Sequence, residues 1–187
     1  MAITKPAGTW AYEDLFSLPH DGNRYEIIEG ELYEMPAPTW EHIVVVMNLV
    51  LLLGPVVRAL GGQIVTAPAD VFFFGADPVR PDILATLPGS RAVGGGRGIQ
   101  RPPDLVIEVL SPSNRGHDVL TKRARYARAG VQEHWIVDPT ARTVDVLALD
   151  HDALHTVQTA AGDDIVVSPR LDSAAFPLTG VFANLES

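Results

Sequence analysis

The sequence predicts a mixed α+β domain of the α/β class, in which helices flank a central mixed β-sheet and additional β-hairpins extend it. Three observations lead to this prediction. Residues 40 to 60 form a long, mostly apolar segment, which is typical of a core helix. Several shorter apolar runs are bounded by Gly and Pro, which is typical of strands. One of them, residues 104 to 110, lies between Pro103 and Pro112 and indicates a strand inside the sheet.

Composition limits the size and setting of the domain. The chain has 187 residues, of which 47% are hydrophobic, so we expect one globular domain spanning residues 1–187. It has no cysteine, which excludes disulfides, thiolate zinc sites and a cysteine nucleophile, and is consistent with a cytoplasmic location. The N-terminus lacks the apolar core of a signal peptide. The apolar run 43–53 contains Asn48 and ends at Gly54-Pro55, so we expect no membrane association.

Charge is distributed unevenly along the chain. The formal net charge is −9, yet residues 80 to 128 contain nine Lys and Arg against four Asp and Glu. A polyanion would be attracted to this segment and repelled by the rest of the surface. The alternative is that a solvated helix face and a loop happen to be basic.

The first third of the chain predicts a short helix, a hairpin and the core helix. Residues 9 to 16 form a short helical pattern with Thr9 as N-cap. Residues 24–28 and 31–35 alternate as strands around Glu29-Gly30, a hairpin signature. Thr39 is suited to cap the long helix, and we expect Pro55 to kink it or split off its last turn.

The remaining elements follow in order. Residues 62–66, 69–74 and 82–86 predict strands, and the Gly- and Pro-rich residues 88–103 predict a flexible loop. After the strand at 104–110, residues 118–129 predict a helix that ends at Gly130. Residues 132–137 and 143–149 predict a hairpin about Asp138-Pro139-Thr140, and residues 154–160 and 164–167 a further strand pair.

Two carboxylates interrupt the apolar strand at 104–110. Strand side chains alternate, so Asp104 and Glu108 are expected to point to one face. A carboxylate in such a strand loses hydration and is normally paired, neutralised or bound to a metal. Glu108 therefore needs a partner.

A magnesium site is one interpretation of these acids. Asp82, Asp104 and Glu108 offer the hard oxygen ligands that Mg²⁺ prefers, and Lys122 could orient a water or offset negative charge. The structural alternative is that Asp82 and Asp104, which each follow a proline, only begin their strands, and that Lys122 is solvated. Spacing alone leaves both interpretations open.

Several linked motifs resemble the Uma-two family of restriction-endonuclease-like proteins, within the PD-(D/E)XK nuclease superfamily. The resemblance extends from about residue 12 to residue 149. The motifs are YEIIEGEL at 25–32, His42, RPD at 80–82, PDLVIEVLSPS at 103–113, Lys122 with YARAGV at 126–131, and EHWIVDP at 133–139.

The resemblance implies a restriction-endonuclease-like core whose acids hold Mg²⁺, or Mn²⁺ in its place, beside a phosphodiester. By position, Asp82 corresponds to the motif aspartate and Glu108 to the acid of the Glu-X-Lys element, and the carbonyl of Val109 would be a further ligand. Asp104 would supplement these metal ligands. The usual lysine position is Leu110 here, and Lys122 resembles its migrated replacement. His42 would contribute to the site from the long helix, with Glu29 a weaker candidate.

The resulting hypothesis is a Mg²⁺-dependent endonuclease that hydrolyses DNA, acts as a homodimer, and positions phosphates with Arg97, Arg101 and Arg115. Two alternatives stay open. One is a non-catalytic binding or regulatory module with the same fold, which a Lys122 remote from the acids would favour. The other is a homo-oligomeric structural domain, which a hydrophobic interface covering the acids would favour.

Overall fold

The structure is a computed structural model that describes residues 2–3, 9–18, 24–28, 30–35, 37–73, 78–90, 93–95, 98–111 and 117–185. In these residues a 3₁₀ helix, Tyr12–Ser17, is followed along the chain by three α-helices. They are α1 (Trp40–Ala59), α2 (His117–Ala129) and the short α3 (Leu178–Val181).

Fourteen strands occur in the same part of the chain and form four sheets. In chain order they are β1 (Ala2–Ile3), β2 (Arg24–Ile28), β3 (Glu31–Met35), β4 (Gln63–Thr66), β5 (Val71–Phe72), β6 (Ile83–Thr86), β7 (Val93–Gly95), β8 (Gly98–Gln100), β9 (Leu105–Val109), β10 (Glu133–Asp138), β11 (Thr143–Asp150), β12 (Ala153–Ala161), β13 (Ile165–Ser168) and β14 (Ala174–Pro177).

The central sheet has six strands in the order β12-β11-β10-β9-β6-β4. Only β9 and β10 pair in parallel, and α2 connects them, as a parallel pair requires. The other neighbours are antiparallel, so the sheet is mixed as predicted. The smaller sheets are β1-β3-β2, β5-β8-β7 and β13-β14.

Each face of the central sheet is covered by a different set of elements. On one face, α1 and the C-terminal elements β14 and α3 pack on Leu105, Ile107 and Val109 of β9. On the other face, Tyr126 and Ala127 of α2 and residues of β5 and β8 pack with Val106. Strand alternation therefore places Glu108, like Val106, on the α2 face.

Three local features predicted from the sequence are confirmed: a helix cap, a hairpin turn and a helix end. The Thr39 hydroxyl accepts a hydrogen bond from His42 N at 3.3 Å and so caps α1. Gly30, at φ +80°, lies between β2 and β3. Gly130, at φ +89°, ends α2, and its N–H donates to the Tyr126 and Ala127 carbonyls.

Three expectations were wrong in detail, and so was one of the two alternatives for Pro55. The first helix is 3₁₀ and begins after Ala11, whose N–H is capped by the Asp14 carboxylate, so Thr9 is not its N-cap. Helix α1 continues through Pro55 to Ala59, so its last turn is not split off, and a kink at Pro55 stays a prediction. The stretch 88–103 contains β7 and β8, because these short strands pair with each other and with β5. Strands β12 and β13 do not pair with each other, since β12 pairs with β11 and β13 with β14.

Candidate active site

Glu108 lies near the end of β9, buried against α2. Its Oε1 accepts a hydrogen bond from the Tyr126 hydroxyl at 2.5 Å, and its Oε2 lies 3.4 Å from Lys122 Nζ. Lys122 and Tyr126 are four residues apart, so they occupy adjacent turns on one face of α2. Both are buried. Glu108 therefore has the partners that its burial requires.

Asp82 immediately precedes β6, the strand that pairs with β9 on the other side from β10. Its Oδ2 accepts a hydrogen bond from Val109 N at 2.8 Å and lies 3.2 Å from His42 Nε2. His42 reaches it from the first turn of α1, which the Thr39 cap fixes. The structure thus brings Asp82 and His42 into direct contact beside the residue that follows Glu108.

The carbonyl of Val109 belongs to the same edge of β9. A strand residue projects its N–H and its C=O toward the same neighbour. Because Val109 N–H points to Asp82, its carbonyl also points toward the Asp82 side. Leu110 N, by contrast, donates to Val137 of the β10 side.

Asp104 does not join Glu108, contrary to the alternation expected from the sequence. Its Oδ2 accepts from Leu87 N at 2.8 Å, and its Oδ1 accepts from Arg170 Nε at 3.0 Å and also pairs with Nη2 of that residue. The chain bends at Asp104 before β9 begins, so strand alternation does not extend to it. Asp104 therefore faces Arg170 rather than the Glu108 cluster.

Arg170 also joins a buried network on the α1 face of the sheet. Glu133 Oε1 accepts from Trp135 Nε1 at 2.6 Å and from Ser168 Oγ at 2.7 Å, and Oε2 accepts from Arg170 N at 2.7 Å. Burial raises the pKa of Glu133, and these hydrogen bonds oppose the rise. The network attaches the segment between β13 and β14 to the central sheet, so we interpret Asp104 and Glu133 as structural.

His134 lies beside the Glu108 cluster on the α2 face. In the parallel register it pairs with Val106, and its ring stacks edge-on against Tyr126 with centroids 5.1 Å apart. Neither ring nitrogen has a hydrogen-bond partner among the described residues. Burial, aided by the positive charges of Arg123 and Lys122, lowers the pKa of His134 to about 3, so it is neutral near pH 7.

Some basic side chains are bound to other groups of the fold, and others are exposed to solvent. Arg80 pairs with Asp70 at 2.5 Å, and Arg123 donates to the Leu154 carbonyl at 3.1 Å. Arg101 and Arg128 are exposed. The predicted phosphate contacts Arg97 and Arg115, and the candidate Glu29, lie outside the described residues.

Few side-chain oxygens at this site could coordinate a metal ion. Within the described ranges, no group of three or more Asp, Glu or His side chains is arranged to hold a metal ion. Asp82 and Glu108 are near each other in the sheet but have separate partners. An ion here would need backbone carbonyl and water ligands as well.

Sequence reasoning missed two of these contacts. Tyr126 was given no role in the site, although its position four residues after Lys122 already places the two side chains on one helix face. Arg170 had no signal, because its contact with Asp104 joins residues 66 positions apart. Lys122, assigned by resemblance, does lie in contact with Glu108.

The mixed α+β architecture brings Asp82, which precedes β6, and Glu108, near the end of β9, to the same end of two adjacent antiparallel strands. The model of the Uma2 family, described as "Putative restriction endonuclease", matches residues 12–179. The chain belongs to this family, which confirms the resemblance seen in its motifs.

One solved structure with the same fold is described as "a putative nuclease belonging to DUF820 from Anabaena variabilis ATCC 29413". It is 22% identical, with a TM-score of 0.72, and the match covers 91% of this chain and 96% of that chain. No curated protein matches the chain.

Proposed function

We propose that the protein is an endonuclease that hydrolyses DNA phosphodiester bonds with the help of a divalent cation, Mg²⁺ or Mn²⁺. One observation carries the proposal: the Glu108 carboxylate contacts Lys122, and the N–H of the next residue, Val109, donates to the Asp82 carboxylate. Family membership and the shared fold support it. A Lys122 remote from the acids would have favoured a non-catalytic module, and the 3.4 Å contact removes that argument.

The donor atoms of this site suit a hard cation. Both contacts of the Asp82 carboxylate within the described residues fall on Oδ2, so Oδ1 is available as a ligand. The Val109 carbonyl is on the same edge, and Glu108 would complete the set with a carboxylate oxygen. When bound, the cation would withdraw charge from a phosphate and acidify a water. Asp104, engaged by Arg170, has no part in this set.

The chain's own residues have separate tasks in this proposal. Lys122 offsets negative charge that develops on the phosphate and holds a water near Glu108. Tyr126 fixes the Glu108 carboxylate through its hydrogen bond. His42 fixes the Asp82 carboxylate from the other side of the sheet. The exposed Arg101 and Arg128 attract the DNA backbone.

A matched pair of variants tests this assignment in a plasmid-nicking assay with Mg²⁺. Asp82→Asn removes a metal ligand, so we expect nicking to fall by about 100-fold or more. Asp104→Asn removes a carboxylate of the same type from a structural ion pair. It should lower the free energy of unfolding by about 1 to 3 kcal/mol and leave nicking of the folded protein within about threefold.

The two variants must differ for the assignment to stand. Equal loss of nicking in both, at a temperature where circular dichroism shows both folded, would contradict the role of Asp82. Nicking by Asp82→Asn at the rate of the unmodified protein would contradict it as well.

A further inference from the structure

Helix α1 carries a row of large apolar side chains that face solvent. Trp40 is 72% exposed, Met47 55% and Leu51 66%. A helix turns about 100° per residue, so positions 40, 47, 51 and 58 lie within about 20° of one line along its surface. We name Trp40, Met47, Leu51 and Arg58 the α1 stripe. Ile43, which is 47% exposed, and the exposed Pro55 flank it.

The opposite side of α1 packs against the hydrophobic core. Val45, Leu49, Leu53 and Val57 are buried in the core. Asn48, on the flank, donates to the carbonyls of Val181 and Ala183 at 3.1 and 2.8 Å. The stripe is therefore not needed to hold α1 on the sheet, and large exposed apolar rows of this kind mark interaction surfaces.

We infer that the α1 stripe binds the α1 stripe of a second copy of this chain, with the two helices antiparallel about a two-fold axis. A two-fold axis at the level of residue 49 makes the stripe complementary to itself. It places Met47 opposite Leu51 of the second copy, and Trp40 opposite Arg58 of the second copy. An arginine over a tryptophan ring is a favourable cation–π pair.

The stripe and its flanks offer six exposed side chains to a partner, and Trp40, Ile43, Met47 and Leu51 are each 47% or more exposed. Stable interfaces bury about 1,200 Å² or more in total, so a stable dimer requires contact along the whole stripe. The interface also leaves the acid site open. His42, which contacts Asp82, is two residues from Trp40 and so projects about 200° away from it around the helix.

A membrane is the competing occupant. Helix α1 is long and apolar enough to cross one by length and composition. However, its buried residues belong to the core of the central sheet, and Arg58 lies on the stripe itself. A helix that crossed a membrane would have to leave that core, whereas a second copy covers the stripe and offers Arg58 a partner in Trp40.

Sedimentation equilibrium of the full chain tests the inference, and it needs no enzymatic activity. We expect a dimer at micromolar concentration, and at least a tenfold weaker association for Leu51→Asp. The matched control is Val157→Asp, because Val157 on β12 is also 55% exposed but lies away from α1. A monomer at 100 µM, or a dimer unaffected by Leu51→Asp, would overturn the inference. So would a monomer that partitions onto lipid vesicles.

Cross-linking tests the antiparallel register. The chain has no cysteine, so introduced thiols react without background. An oxidised mixture of Met47→Cys and Leu51→Cys should give mainly the disulfide between the two variants, because only facing positions come within about 7 Å between Cα atoms. Mainly same-variant disulfides would indicate a parallel or different pairing and would contradict the proposed arrangement.

Discussion

At the scale of single residues, Glu108 shows what a sequence can predict about a site. A carboxylate inside an apolar strand requires a partner, and the structure supplies Lys122 and Tyr126. The same reasoning failed for Asp104, because it assumed that alternation extends one residue before the strand begins. It could not find Arg170, since no local pattern connects positions 104 and 170.

Tyr126→Phe tests whether Tyr126 positions Glu108. The variant removes the 2.5 Å hydrogen bond and keeps the ring that packs against His134 and Phe73. We expect divalent-ion affinity and nicking to fall by about 3- to 30-fold, with a loss of about 1 kcal/mol in unfolding free energy. An isothermal titration with Mn²⁺ measures the affinity. Loss of stability with unchanged affinity would show that the hydrogen bond stabilises the fold but does not position Glu108 for an ion.

Because His134 is buried, we expect the stability of the fold to depend on pH, which the sequence alone did not indicate. Burial lowers its pKa to about 3 in the folded chain, while the unfolded chain has an ordinary value near 6.5. Below pH 6.5 the unfolded state therefore binds the extra proton, and stability falls as pH falls toward 3. His134→Phe removes this proton uptake and keeps a ring beside Tyr126.

Comparing denaturant unfolding at pH 7 and pH 5 measures that effect. Relative to His134→Phe, the unmodified protein should lose about 2 kcal/mol more between the two pH values. Other titrating groups cancel in this difference. An equal pH dependence in both proteins would show that His134 can be protonated in the folded state.

At the scale of elements, helices and hairpins with strong local signals were predicted, whereas strands β7 and β8 were predicted as a loop. Thr39, Gly30 and Gly130 fixed the ends of α1, the β2–β3 hairpin and α2 through local geometry. Strands β7 and β8 are glycine-rich and only three residues long, so composition resembles a loop. Their pairing with β5 depends on contacts that are distant in sequence.

Two glycine substitutions separate backbone strain from steric conflict. Gly130 has φ +89° and no atom within 4 Å of an added Cβ, so Gly130→Ala should cost about 1 kcal/mol of strain. In Gly98→Ala, at φ +121°, the Cβ would lie 2.2 Å from the Asp70 carbonyl oxygen. We expect a clearly larger loss there, measured by denaturant unfolding. Equal losses would contradict the close approach of β8 to Asp70.

At the scale of the whole molecule, the mixed sheet and the family were both predictable, because several motifs follow in a fixed order along the chain. The order of the six strands was not, since strand partners depend on the packing of α1 and α2 on opposite faces. The single-domain expectation for residues 1–187 stays a prediction. So does the homodimer, for which the α1 stripe now offers a specific surface.

Divalent-ion binding decides whether Asp82 and Glu108 act as metal ligands. Calorimetry with Mn²⁺ and Mg²⁺ on the unmodified protein and on Glu108→Gln, followed by plasmid nicking with both, measures ligand set and activity together. We predict binding at or below millimolar concentration and Mg²⁺-dependent nicking, both lost in Glu108→Gln while circular dichroism stays unchanged. An unmodified protein that binds neither ion at millimolar concentration would contradict the assignment of Asp82 and Glu108 as metal ligands.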